Sequence, residues 1–314
     1  MTGRVAALAG GVGGARLAQG LAALLDDRLS VIVNTGDDFE HAGLTVCPDL
    51  DTVLYTLGGV ANRAQGWGIE GETWNFLEQL ARLGGPDWFR LGDRDVAAHV
   101  LRTMRLAQGE TLTQIIADFA SRLGIRASIL PMADQPVRTM IRTDGGELPF
   151  QDYFVRLRCE VPVSGFRFDG IETATPTPQA LAALRDPELE AVIICPSNPF
   201  VSVEPILSVP GIRAELGRTP IVAVSPIIAG QAVKGPAAKM MHELGMPVTA
   251  LAVAQRYAGL ASGFVIDHAD AAQVPAIEAL GMRVLMTEAL MRDEADRVRL
   301  ARECLEFADT LRNA

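Results

Sequence analysis

Cysteine is scarce: Cys47, Cys159, Cys195 and Cys304 are spread across 314 residues, with no C-x-x-C and no histidine pair beside them. That spacing points to neither a zinc site nor a disulfide framework and predicts reduced, mostly buried thiols. Long hydrophobic runs are also missing. Hydrophobic residues make up 49% of the chain and the mean hydropathy is +0.20, yet no stretch reaches the ~18 uncharged apolar residues of a membrane span. The N-terminus shows no charged-then-apolar-then-small leader pattern, so the expectation is a cytoplasmic protein without membrane contact. Basic residues are outnumbered, 28 against 38 acidic ones, for a net charge of −10. This argues against a broad nucleic-acid surface but allows one local basic pocket. No Pro- or Ser-rich linker, repeat or low-complexity tract divides the chain.

What is present is a regular alternation. "RVAALAG" reads as a short apolar strand, "GGVGGARLAQGLAALL" as a glycine loop entering an amphipathic helix, and "LSVIVNT" as a second apolar strand. Strand, helix and strand in that order predict a parallel pair joined by a right-handed crossover, with Val5 to Ala9 beside Val31 to Val33. The pattern returns in "AVIICPSNP", "PIVAVSPIIAG", "GFVIDH" and "MRVLMTE", each an apolar strand ending in a polar or glycine-rich turn. Near-continuous apolar strands suit a parallel sheet covered on both faces. The stretch from Met291 to Leu311 reads as a strong amphipathic helix. The middle, 61–172, has longer helices, one opening with Thr111 and Gln114 at capping-box spacing. The fold class is therefore α/β: a Rossmann-like, mainly parallel, doubly wound sheet formed by 1–60 and 173–314, with 61–172 as an inserted, largely helical subdomain.

Two features stand at the predicted carboxyl edge of that sheet, where open α/β folds bind ligands. The first is "AGGVGGARL". Its glycines let backbone amides approach an anion, and the helix start adds positive potential. It is neither a P-loop, since no G-K-[ST] follows, nor a clean G-x-G-x-x-G, since Arg16 stands at the third glycine. A phosphate site and a merely tight turn both fit, and Arg16 in the first helical turn favours phosphate. The second is "VIVNTGDDFEHAGLTVCPDLDT", with Asp37, Asp38, Asp49 and Asp51. The nearest basic residues in sequence are Arg28 and Arg63, so nothing local neutralises them. They read as turn and capping residues, with Asp49 as an N-cap, or as a shelf for a hard divalent ion such as Mg2+ that also takes phosphate oxygens. On the shelf reading, Asn at Asp37 or Asp51 relieves repulsion, and the metal-free fold should be no less stable.

Taken together, "GGVGGARL", "VNTGDD", "CPDLDTVLYTLGG", "GWGIEGETWN", "DWFRLGDRD", "PSNPFVSVEPIL" and "SPIIAGQAVKGPA" resemble the 2-phospho-L-lactate transferase family of coenzyme F420 biosynthesis, described in actinobacteria as phosphoenolpyruvyl transferases. The resemblance implies a Mg2+-dependent transferase of the EC 2.7.8 type. It would move a phospho-three-carbon-acid group from a guanosine diphosphate donor to the deazaflavin Fo and release GMP. It implies Asp37 and Asp51 as metal ligands, with Asp38 beside them in catalysis. For the guanosine diphosphate it implies Gly11, Gly13, Gly14, Arg16, Ser197, Asn198 and Lys234. For Fo it implies Thr73, Asn75, Asp93, Asp95 and His41, with Trp67, Trp74 and Trp88 near the ring. His99, His242 and His268 show no partner spacing and receive no role. A homodimer is expected from the family, with small-molecule substrates only. The competing readings are a nucleotide-sugar-binding regulator of the same superfamily and a nicotinamide dehydrogenase using Asp37 on a ribose; "GETWN" and "LGDRD" favour the transferase.

Overall fold

The computed structural model describes residues 2–313. Seven strands form one parallel sheet: β1 (Arg4–Ala9), β2 (Leu29–Val33), β3 (Ser128–Pro131), β4 (Leu189–Ile194), β5 (Ile221–Val224), β6 (Gly263–Asp267) and β7 (Arg283–Thr287). Their spatial order is β7-β6-β5-β4-β1-β2-β3. The expected β1–β2 pair is parallel and in register from Val5↔Leu29 to Ala9↔Val33. Strand order reverses between β1 and β4, so the carboxyl ends of these two strands bound the crevice in which such sheets bind ligands.

Alternate residues of each strand feed two cores. Val5, Ala7, Ala9, Val31, Val33 and Ile193 pack on one face; Ala6, Leu8, Ile32, Val192 and Ile194 pack on the other. With both faces covered, the central strands are apolar except near their N-terminal ends, at Arg4, Ser30 and Glu190. The first face is covered by α1 (Gly11–Leu25), α2 (Pro48–Leu57) and the C-terminal helix, designated α5 (Glu294–Arg312). α1 and α5 touch at Gly20, where a Cβ would lie 2.1 Å from the Arg297 carbonyl oxygen. Only glycine permits so close a crossing. Cys47, Cys195 and Cys304 are buried and all four thiols are free.

The 61–172 segment differs from the single insertion expected. It holds α3 (Asp93–Ala107) and α4 (Leu112–Arg122), the latter with the predicted Thr111–Gln114 capping box. It then returns to the main sheet as β3, which pairs parallel with β2. A second excursion follows and carries a three-stranded antiparallel sheet, Gly146–Pro149, Arg138–Thr143 and Gly165–Asp169. β3 is drawn in because Ile129 and Leu130 are apolar and buried, and pairing satisfies the outer edge of β2.

Candidate functional site

One large cavity, about 640 Å3, opens at the reversal point of the sheet. That is the size of a small-molecule site. Its floor is made from strand ends: Gly10–Gly13 after β1, Asp37 after β2, Pro196–Asn198 after β4, and Ser225 and Pro226 after β5. Gly13 and Asp37 thus share the sheet edge, as expected.

The glycine motif is not a loop. α1 begins at Gly11, directly after an extended Gly10 that has no side chain to cap the helix. Caps arrive from elsewhere: Gly10 N–H donates to Ser197 Oγ at 3.1 Å and Gly11 N–H to Asp49 Oδ1 at 2.7 Å. Added Cβ atoms would meet Pro196 O at 2.3 Å from Gly13 and Ser197 Oγ at 2.4 Å from Gly14. These glycines therefore let the helix N-terminus sit against the 196–198 turn; Gly11, Gly13 and Arg16 line the cavity and Gly14 lies behind it. Asn198 and exposed Lys234 also line it, and Lys234 makes no ion pair among the described residues.

All four aspartates of the opening motif are buried, but they fall into two environments. Asp49 is not an N-cap. α2 is capped at Cys47 with Pro48 at its first position, a position that needs no N–H. The Asp49 carboxylate reaches across to Gly11 and accepts from Asn34 Nδ2 at 2.9 Å. Burial pushes its pKa up to about 6, with Asn34 and Gly11 opposing. Asp37 is raised well above the usual carboxylate range, first by burial and next by repulsion from Asp49. Burial pushes Asp38 up to about 7, although Arg138 opposes it. Asp37 Oδ1 and Asp38 Oδ1 are buried without a hydrogen-bond partner.

Asp51 contradicts the expectation that nothing neutralises these acids. Fully buried Arg102 of α3 grips it with both terminal nitrogens, one at 3.1 Å from Oδ2 and the other closer still to Oδ1. Arg102 also donates to the Thr45 carbonyl at 3.2 Å. Its guanidinium lies 3.2 Å from His99 Nδ1, and His99 Nε2 lies 3.2 Å from Asp95 Oδ1. Tyr55 donates to the same Asp95 oxygen at 2.7 Å. Burial pushes the Asp95 pKa up, but His99, Tyr55 and Arg102 together outweigh it and hold the group below the usual value. Oxygens of Asp51 and Asp95 and a ring nitrogen of His99 lie within 4.8 Å of one another, a metal-ligand spacing. A buried guanidinium already occupies that centre, so the set reads as a closed charge network. Sequence reasoning missed His99 and Arg102. Asp95, His99 and Arg102 recur at i, i+4 and i+7 and are the buried residues of α3, a helical stripe that is polar where an apolar one is usual.

Five aromatic residues also line the cavity: Trp67, Trp88, Phe89, Phe150 and Phe154. The last two stack with centroids 5.4 Å apart and planes 9° from parallel. The residues expected around a deazaflavin divide. Asp95 lines the cavity, whereas Thr73, Asn75 and Asp93 do not. The Asp93 carboxylate instead accepts from Thr73 Oγ1, Asn75 Nδ2 and Phe76 N at 2.5, 2.7 and 2.9 Å, fastening Thr73 and the start of the Asn75–Arg82 helix to the start of α3. His41 is buried, edge-on to Trp88 at 5.1 Å, and burial lowers its pKa. Trp74 is covered by the Arg90 guanidinium, 4.2 Å from the ring centroid. Arg158, also unforeseen, lines the cavity from a left-handed backbone position with φ +50°.

With this geometry in hand, comparison with known proteins is decisive. The sequence profile described as 2-phospho-L-lactate transferase CofD matches residues 5–290. The chain belongs to the CofD family. It is 43% identical to a phosphoenolpyruvate transferase from Streptomyces griseus, covering 98% of this chain and 99% of that one. It is 44% identical to the Streptomyces avermitilis protein of the same name, over 98% and 99%, and 41% identical to that of Thermobifida fusca, over 91% and 93%. Among solved structures, a UPF0052-family protein from Bacillus halodurans superposes with a TM-score of 0.62 at 14% identity, covering 96% of this chain and 98% of that one. That similarity establishes the fold alone. Transferase activity of the CofD type follows from the family, and no helix among the described residues is long and apolar enough to cross a membrane.

Proposed function

We propose that the chain transfers a phosphoenolpyruvyl group from a guanosine diphosphate donor to the terminal ribityl hydroxyl of the deazaflavin Fo, with Mg2+, releasing GMP. The observation that carries this reading is one cavity lined by a helix N-terminus, the Asp37 carboxylate and a group of aromatic side chains. Hydroxyl oxygen attacks the phosphorus bearing the acid, the bond to GMP breaks, and a phosphodiester joins acid to Fo. Gly11, Gly13, Arg16 and Lys234 bind the diphosphate, and Ser197 and Asn198 fix the turn against which it lies. Asp37 fits a hard cation, since it lines the cavity and its burial beside the like charge of Asp49 leaves its charge in need of a counter-ion. Asp51, which the resemblance implies as the second ligand, has both oxygens taken up by Arg102, so the cation rests on Asp37, where Mg2+ would supply neutralisation of phosphate charge. Phe150, Phe154, Trp67 and Trp88 pack on the deazaflavin. Arg158, with no ion pair among the described residues, anchors the three-carbon carboxylate; two successive left-handed residues, Arg158 and Cys159 (φ +57°), hold it there. The enolpyruvyl donor is chosen because that is the name the relatives carry. A homodimer belongs to the same reading, supported by Val100, Leu101 and Met104, which expose apolar surface on the outside of α3.

The test is incubation of purified protein with Fo, Mg2+ and competing enolpyruvyl, lactyl and glyceryl donors, followed by mass spectrometry. Phosphoenolpyruvyl-Fo should dominate. Nucleotide binding without product from any donor would instead support the regulator.

A further inference from the structure

We propose that a second, smaller pocket, wedged between α1, the end of α2 and α5, is a binding site for a phosphate-type oxyanion. It has a volume of about 30 Å3 and is lined by Arg16, Gln19, Thr56, Asn62, Arg63 and Arg297 among others. That admits one small group of a few atoms but neither a base nor a sugar. Three arginines line it, and no carboxylate does among the described residues.

The strongest sign of a missing partner is Arg297. Its Nε is buried and has no hydrogen-bond partner, while one terminal nitrogen donates to Gln19 Oε1. A buried donor left unmade is costly, more so on a charged group. Burial, followed by repulsion from Arg16, lowers the pKa of this guanidinium. The side chain has little freedom to escape, because the Arg297 backbone is pressed against Gly20 of α1. Arg63 is tied to Glu294 at 2.7 Å, but on the exposed side of the pocket. Arg16 donates to the Met291 carbonyl at 3.2 Å and keeps further N–H groups. An anion with several acceptor oxygens answers all three at once: it supplies acceptors, neutralises like charges and matches the planar fork of guanidinium.

Position suggests what the site does. Val12 and Arg16 line both this pocket and the main cavity, so an anion here bears on the N-terminal turn of α1 from behind. The phosphate has two possible sources: free inorganic phosphate, or the terminal phosphate of a nucleotide held in the main cavity. The site does not depend on the transferase reading, and its test uses binding rather than turnover.

Inorganic phosphate is titrated by calorimetry into the full chain and into Arg297→Gln and Arg63→Gln, at constant ionic strength set with chloride. Loss of one charge-assisted contact should weaken binding about tenfold or more in each variant. If Arg297→Gln fails to fold, Arg63→Gln, altered at an exposed side chain, decides. Repeating the titration with GDP and GMP separates the sources. Phosphate that binds alongside GDP identifies the free ion. Competition with GDP, together with a GDP affinity that falls in the variants while GMP affinity holds, identifies the nucleotide's phosphate. Phosphate and GDP affinities unchanged in both variants, or no phosphate binding to the wild-type protein up to about 10 mM, would overturn the proposal.

Discussion

Asp37 and Asp51 are equally buried, each 5% exposed, and both line the same cavity, yet their surroundings are opposite. Asp51 is gripped by Arg102, which His99 and Asp95 hold in turn. Asp37 has Asp49 for a neighbour, an oxygen without a partner, and a pKa raised by burial and like charge. Removing a charge from water costs several kcal/mol unless a counter-charge replaces the lost hydration. In the Asp51 network the protein supplies that counter-charge itself. Around Asp37 it leaves the compensation to a proton or to a bound cation. Carboxylates that look alike in a sequence motif are thus, in the fold, one finished structural element and one open site.

Breaking the finished side should have the largest effect. Arg102→Met leaves Asp51 as an uncompensated buried charge, and denaturant unfolding should show a loss of about 3–5 kcal/mol. Adding Asp51→Asn should recover more than half of it. A single Arg102→Met variant as stable as wild type would mean that the network carries no net pairing. The same logic revises the expectation for Asp51→Asn alone: it orphans Arg102, so the fold should weaken rather than hold level.

The open side should respond in activity instead. Asp37→Asn removes charge while nearly keeping shape, so turnover should fall about 100-fold or more, on the scale of a lost electrostatic contact to the transition state. Melting temperature without metal should stay level or rise, and stabilisation by Mg2+ should shrink. Full turnover with unchanged Mg2+ dependence would reduce Asp37 to a turn residue.

The smallest effect is in pH. Asp38 and Asp49, at about 7 and about 6, hold protons in the folded state that they release near 3.8 when unfolded. Their contribution to stability is complete below that value and is lost as pH rises through 6 and 7. The metal-free protein should therefore melt at progressively lower temperature as pH is raised from about 5 to about 8, and Asp38→Asn should flatten the trend. Equal slopes for the two proteins would assign the trend to other groups.

Much of the scaffold of this contrast was legible beforehand. The strand–helix–strand start, the sheet edge shared by Gly13 and Asp37, and the late strands followed from apolar runs and their punctuation. Thr73, Asn75 and Asp93 were legible only as polar residues in a motif. That their hydrogen bonds run to one another rather than into the cavity depends on how one segment docks on α3. From sequence β3 reads as part of an insertion, because its neighbour β2 lies almost a hundred residues earlier and strand pairing leaves no local trace.

The sequence by itself determined the period of each element, the glycines that allow α1 to meet the 196–198 turn, and the presence of four acids at one edge. Apolar periodicity is a local property, and local properties are written in consecutive residues. Only the tertiary structure decided which acids are charged, which are paired and which face the ligand space. Arg102 stands 51 positions from Asp51, and Coulomb energy and desolvation depend on distance through space, which the chain fixes only when it folds.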